Sequence, residues 1–181
     1  LRAAPEGAIY EWRSNHEIMQ IGRRLRDSGG AALIIDYGHM RSDAGDTFQA
    51  IAKHAFADPL RNSGNADLTA HVDFEALALG AADVGAIAHG PVEQGTFLKR
   101  LGIERRAAGL IAKSSTQITE EVTAAIKRLV GTGRGGMGSL FKVLGVSHPD
   151  LTSLPGLGEE PAAIALSPAS NIAVEEEGSE S

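Results

Sequence analysis

Apolar and polar positions change period several times along these 181 residues, and each change marks an element. Residues 6–12, EGAIYEW, alternate apolar with polar, which predicts a strand. Ser14 and Glu17 match a capping box, and Ile18, Ile21, Gly22 and Leu25 follow at helical spacing until Gly29 and Gly30 stop the helix. AALIIDYG (31–38) then runs apolar without alternation, as in a parallel-sheet strand covered on both faces. Residues 39–66 are too long for a plain connection and carry a period-2 stretch at Phe48, Ala50 and Ala52, so an ordered insertion with a strand is expected. Turns are expected at Asp58-Pro59 and between Asn62 and Asn65.

Farther on, Asp73 reads as the N-cap of a helix with Phe74, Leu77, Ala78 and Ala81 on its apolar face, stopped by Gly85. AIAHGPV (86–92) predicts a short strand ending at Pro91, and 94–113 and 116–130 predict two helices, the second capped by Thr116 or Thr119. A glycine-rich turn, GTGRGGMG (131–138), leads into a last strand, SLFKVLGVS (139–147). Strands alternating with helices make the fold class α/β. Beyond Pro149 the periodicity stops, so residues 1–149 read as one domain and 150–181 as a disordered acidic tail.

Charge sharpens this division. Six of the 23 acids are glutamates from Glu159 onward, where no base occurs; the other 17 acids balance the 17 bases. A neutral body with an acidic tail argues against nucleic acid as a partner. No apolar run reaches the ~18 residues of a membrane span. The absence of cysteine excludes disulfides, thiolate metal sites and cysteine nucleophiles, and fits a reducing cytoplasm. The six histidines are scattered, with no i, i+4 pair, so no metal site is expected. Gly131, Gly133 and Gly136 match G-x-G-x-x-G, but a helix precedes and a strand follows, the reverse of a nucleotide loop. The chain starts at Leu1 within strand-like sequence, so a piece of a longer reading frame is expected, a processed mature chain being the alternative.

Polar residues of catalytic type gather in IIDYGH (34–39), GDTFQAIAKHAFADPL (45–60) and ADLTAHVDF (66–74). Together with GPVEQGTFLKRLGIERRA (90–107) and MGSLFKVLGVS (137–147), these blocks resemble the MidA-type methyltransferases, whose mitochondrial members are called complex I assembly factor 7. The resemblance covers roughly residues 6–148 and implies a class I, Rossmann-like methyltransferase fold that uses S-adenosylmethionine. It implies that AALIIDYG is the fifth sheet strand, and that AIAHGPV and SLFKVLGVS close the sheet with one of them antiparallel. It also implies that the first four strands, with the cofactor's glycine loop and ribose carboxylate, lie in an amino-terminal half before Leu1. The cofactor would then be bound mainly by that half, and this piece alone would be inactive.

The resemblance further implies a protein arginine as methyl acceptor, on a respiratory complex I subunit during assembly, in the mitochondrial matrix or, as the alanine and glycine richness suggests, in a bacterial cytoplasm. An arginine stays protonated in water, so carboxylates must orient it. Asp67 and His71 are therefore the candidate catalytic residues, and Asp36, Tyr37, Thr69, Asp73 and Gln94 the candidate acceptor-binding ones. The structural alternatives are that Asp67 caps a turn, Asp73 caps a helix, His71 is a buried imidazole, and Tyr37 and Gln94 pack or cap. A different class of function, a non-catalytic interaction module, is supported by the insertions and by the helical segment 94–130.

Overall fold

Asn15 rather than Ser14 stands at the N-cap of the first helix, α1 (His16–Ser28), and its side chain makes no capping bond. Ser14 Oγ instead accepts from the His16 N–H at 3.1 Å, so the expected capping box does not form. The computed structural model describes residues 6–61 and 64–158. After α1 come β1 (Ala31–His39), β2 (Gln49–Ala52), β3 (Ala55–Ala57), β4 (Asp67–Thr69), β5 (Val72–Asp73) and α2 (Phe74–Ala82). Then follow β6 (Ile87–Glu93), α3 (Gln94–Arg100), α4 (Ile103–Ile111), α5 (Thr116–Val130) and β7 (Phe141–Ser147).

The main sheet has the order β5-β1-β7-β6. β7 is antiparallel to both β1 and β6, which makes it the antiparallel member of the closing pair. β5 joins the other edge of β1 in parallel, at Gly38 and His39 only. Among the described residues, no strand lies on that edge beside residues 31–37. The insertion is ordered, as a three-stranded sheet β3-β2-β4. Its hairpin turns at Lys53 and His54, both with positive φ. Residues 62 and 63, in the second expected turn, lie outside the described residues.

Two apolar clusters flank the sheet. On one face Ile18, Phe74, Ala81, Ala86, Leu144 and Val146 pack together, with Ile34 of β1 against them. On the other, Phe97, Val143 and Leu157 form a smaller cluster with Leu154 beside it. Each such large side chain contributes about 1.5–3 kcal/mol when buried.

Several expectations need correction. Residues 8–15 form no strand; Ile9, Tyr10 and Trp12 are exposed, since alternation alone does not provide a pairing partner. β1 is not covered on both faces: α1 and α2 cover the Ile34 side, while Leu33 and Ile35 on the opposite side are 52% and 49% exposed. β6 continues past Pro91 to Glu93, with its irregularity between His89 and Val92. The helix expected over 94–113 is two, α3 and α4, because Gly102 turns the chain at φ 82°. Ser115, not Thr116 or Thr119, stands at the N-cap of α5. Of the tail expected from 150, residues 150–158 pack onto the fold, since Leu157 is buried and Leu154 lies beside it; residues 159–181 lie outside the described residues.

Candidate functional site

In open α/β sheets, ligands meet the carboxyl ends of the parallel strands. Here that place is the end of β1 and the β4–β5 segment beside it. Gly38 makes the approach possible: a Cβ there would collide with the backbone carbonyl of Val72. With glycine, β5 pairs closely enough to set His39 opposite Asp73.

Tyr37 projects toward His71 and Phe141, with ring centroids 5.7 and 5.9 Å away and both rings edge-on. Asp73 caps α2 by accepting from the Ala76 N–H at 3.0 Å. Its other oxygen stands 3.7 Å from His39 Nε2. His71 is held by its backbone: its N–H donates to Thr47 Oγ1 at 3.0 Å.

Thr47 is the centre of a polar knot. Its hydroxyl donates to Glu11, whose carboxylate also accepts from the Thr47 N–H at 2.9 Å. Arg13 donates to the same carboxylate and, at 3.3 Å, to Thr47 Oγ1. One hydroxyl thus makes one donor and two acceptor contacts, the full capacity of a threonine. Burial pushes the Glu11 carboxyl up, but the bonds from Thr47 and Arg13 outweigh it and hold the group below the usual carboxylate range. The knot joins residues 11–13 to the insertion and to His71.

The structure therefore brings Tyr37, His71 and Asp73 to one end of the sheet and leaves the other candidates apart. Asp67 is exposed on β4, in register with Ile51, and Thr69 is half-buried two residues on. Asp36 lies in register with Lys142, and one of its oxygens accepts from the Tyr37 N–H at 2.8 Å. Gln94 is buried, and its amide donates to the Leu129 carbonyl at 2.9 Å, tying α3 to the end of α5. Sequence reasoning missed Glu11, Arg13, Thr47 and His39. His39 ends the quoted IIDYGH block, so proximity to the strand end was a usable signal for it. The Glu11–Thr47 contact spans 36 positions and left no local signal.

Among the described residues no group of three or more His, Asp or Glu side chains is placed to hold a metal ion. No helix there is long and apolar enough to cross a membrane.

Comparison with known proteins gives concordant results. Residues 3–92 match the family described as "Putative S-adenosyl-L-methionine-dependent methyltransferase". The chain is 37% identical over 155 residues to the mitochondrial protein arginine methyltransferase NDUFAF7 homolog of Drosophila melanogaster, covering 82% of this chain and 35% of that protein. It is 36% identical over 129 residues to the mitochondrial protein arginine methyltransferase NDUFAF7 of Danio rerio, covering 71% and 30%. The chain thus spans about a third of the length of the curated relatives it matches. A Burkholderia thailandensis crystal structure bound to S-adenosyl-homocysteine superposes with a TM-score of 0.64 at 28% identity, covering 83% of this chain and 38% of that one. A native crystal structure from the same organism gives 0.65 at 28% identity, covering 81% and 38%.

Proposed function

Because the chain belongs to the MidA-type family of S-adenosylmethionine-dependent methyltransferases, with their Rossmann-like fold, we propose that the protein carrying it transfers a methyl group from that cofactor to an arginine of another protein. The observation that carries this reading is the 37% identity, over 82% of the chain, to a protein named as an arginine methyltransferase. The site's chemistry supports it. A guanidinium acceptor needs carboxylates to orient it, and it needs a group to take the proton it loses on methylation. Asp73 supplies a carboxylate, with His71 and Tyr37 beside it at the end of β1, while Asp67 and Thr69 stand apart on β4.

S-adenosylmethionine supplies the methyl group when bound. In this reading it lies mainly against sequence that these 181 residues do not span, so the chain alone is inactive. The one glycine-rich turn of nucleotide-loop spacing, Gly131–Gly136, follows α5 and leads to β7, the reverse of the order a phosphate-binding loop requires. The resemblance to complex I assembly factors points to a complex I subunit as acceptor. It also points to the mitochondrial matrix or a bacterial cytoplasm as the place of work.

The test is transfer of labelled methyl from the cofactor by the intact protein, followed by hydrolysis of the acceptor and separation of its amino acids. Label in methylarginine, on a complex I subunit, is the expected result. Label in another residue overturns the arginine assignment, and no transfer at all overturns the enzymatic reading.

A further inference from the structure

The structure assigns to His39 the task of taking the proton that the acceptor nitrogen loses, with Asp73 as the group that orients it. This inference rests on the methyl-transfer reading above and names a residue of the same site.

His39 closes β1 at its carboxyl end, and Asp73 lies opposite it in the parallel β1–β5 register. Nε2 points to Asp73 Oδ2 at 3.7 Å, and the two side chains are 28% and 19% exposed. That distance is looser than a hydrogen bond, as is common before a substrate closes a site. Asp73 is itself fixed, because its other oxygen is engaged by the Ala76 N–H. A carboxylate at Nε2 favours the tautomer that carries its proton there, which leaves the Nδ1 lone pair free. Among the described residues Nδ1 meets no hydrogen-bond partner.

His71, the other histidine at this end, lacks this arrangement: its ring stands edge-on to Tyr37, and no carboxylate is paired with it among the described residues. The charged group paired with His39 is Asp73 on β5; Glu75, in the first turn of α2, shares a neighbouring pocket with Arg41 and Asp43 of the segment after β1. Glu75 is engaged by the Ser42 N–H at 2.8 Å.

In the step, an acceptor nitrogen forms its bond to the methyl carbon while the sulfur–methyl bond breaks and sulfur keeps the electron pair. The nitrogen's surplus proton passes to His39 Nδ1 and from there to water.

Two substitutions in the intact protein test the assignment. His39→Gln is expected to lower kcat at least about 100-fold and to abolish the acid limb of its pH profile, leaving cofactor affinity unchanged. Asp73→Asn retains a good N-cap, so the fold stands, and is expected to lower kcat about tenfold. Nitrogen-15 NMR of the imidazoles reads the tautomer directly and needs no acceptor. The Nε2–H form of His39 in the wild type, lost in Asp73→Asn, is expected. A wild-type protein that methylates arginine while His39→Gln keeps its kcat and acid limb overturns the assignment and spares the function. So does an Nδ1–H tautomer at His39. A wild type that transfers no methyl group overturns both.

Discussion

At the scale of single residues, the site depends on a few positions where the backbone tolerates only one side chain. Gly38 is the clearest. Its neighbour Val72 approaches so closely that a methyl group has nowhere to go. Gly38→Ala must separate β5 from β1 and move His39 away from Asp73. We expect a loss of about 1–3 kcal/mol in urea unfolding, together with reduced methyl transfer by the intact protein. An unfolding midpoint equal to wild type would show that the two strands are not in register there. Asp73 was legible in sequence as a helix cap because the signal is local: a capping aspartate directly before an apolar helix face. His39 is four residues before Asp43 and far in sequence from Asp73, so its partner became visible only when the strands paired. Glu11, Arg13 and Thr47 were hidden for the same reason.

At the scale of elements, the apolar run of β1 and the glycine stops were read correctly from pattern, since they reflect the backbone's own preferences. Coverage was not, because what lies on a strand's face is a property of the neighbours. The segment after β7 shows the converse. Residues 150–158 lack any period, yet Leu157 packs against the Phe97–Val143 cluster at 8% exposure. Leu157→Ala is expected to cost about 2–5 kcal/mol in chemical unfolding. A cost under about 0.5 kcal/mol, the range of surface changes, would restore the view of this segment as an unstructured tail.

The same segment is clasped from below by His89. Its Nε2 lies 2.8 Å from Ser147 Oγ, which also meets the carbonyls of His148 and Leu151. Burial pushes the His89 imidazole below its ordinary range, and the Leu151 carbonyl opposes that only in part. A histidine kept neutral by folding is protonated first in the unfolded chain. Its contribution is therefore complete above the unfolded value of about 6.5 and is lost as pH falls toward the lower folded value. Unfolding midpoints should fall between pH 7.5 and 5, and His89→Gln should flatten that slope. An unchanged slope in the variant would assign the pH dependence to other groups.

At the scale of the whole molecule, the sheet carries the account. The order β5-β1-β7-β6 has its last strand antiparallel between two parallel ones, as the resemblance implied for the closing part of a methyltransferase sheet. One edge of β1 is paired only at its end, and the face bearing Leu33 and Ile35 is open. An apolar edge and face of this kind are a surface for further pairing, and in a chain by itself a site of aggregation. The cluster of Tyr37, His39, His71 and Asp73 sits at the carboxyl end of the same strand, which is where an acceptor would meet the cofactor. The central claim is that this cluster faces the acceptor rather than the cofactor. Its most direct test is methyl transfer to protein arginine by the intact protein carrying His71→Ala, with cofactor affinity measured on the same preparation. The account predicts that cofactor affinity stays within about twofold of wild type while kcat/KM for the acceptor falls at least about tenfold. Loss of cofactor binding, or wild-type transfer by the variant, would contradict it.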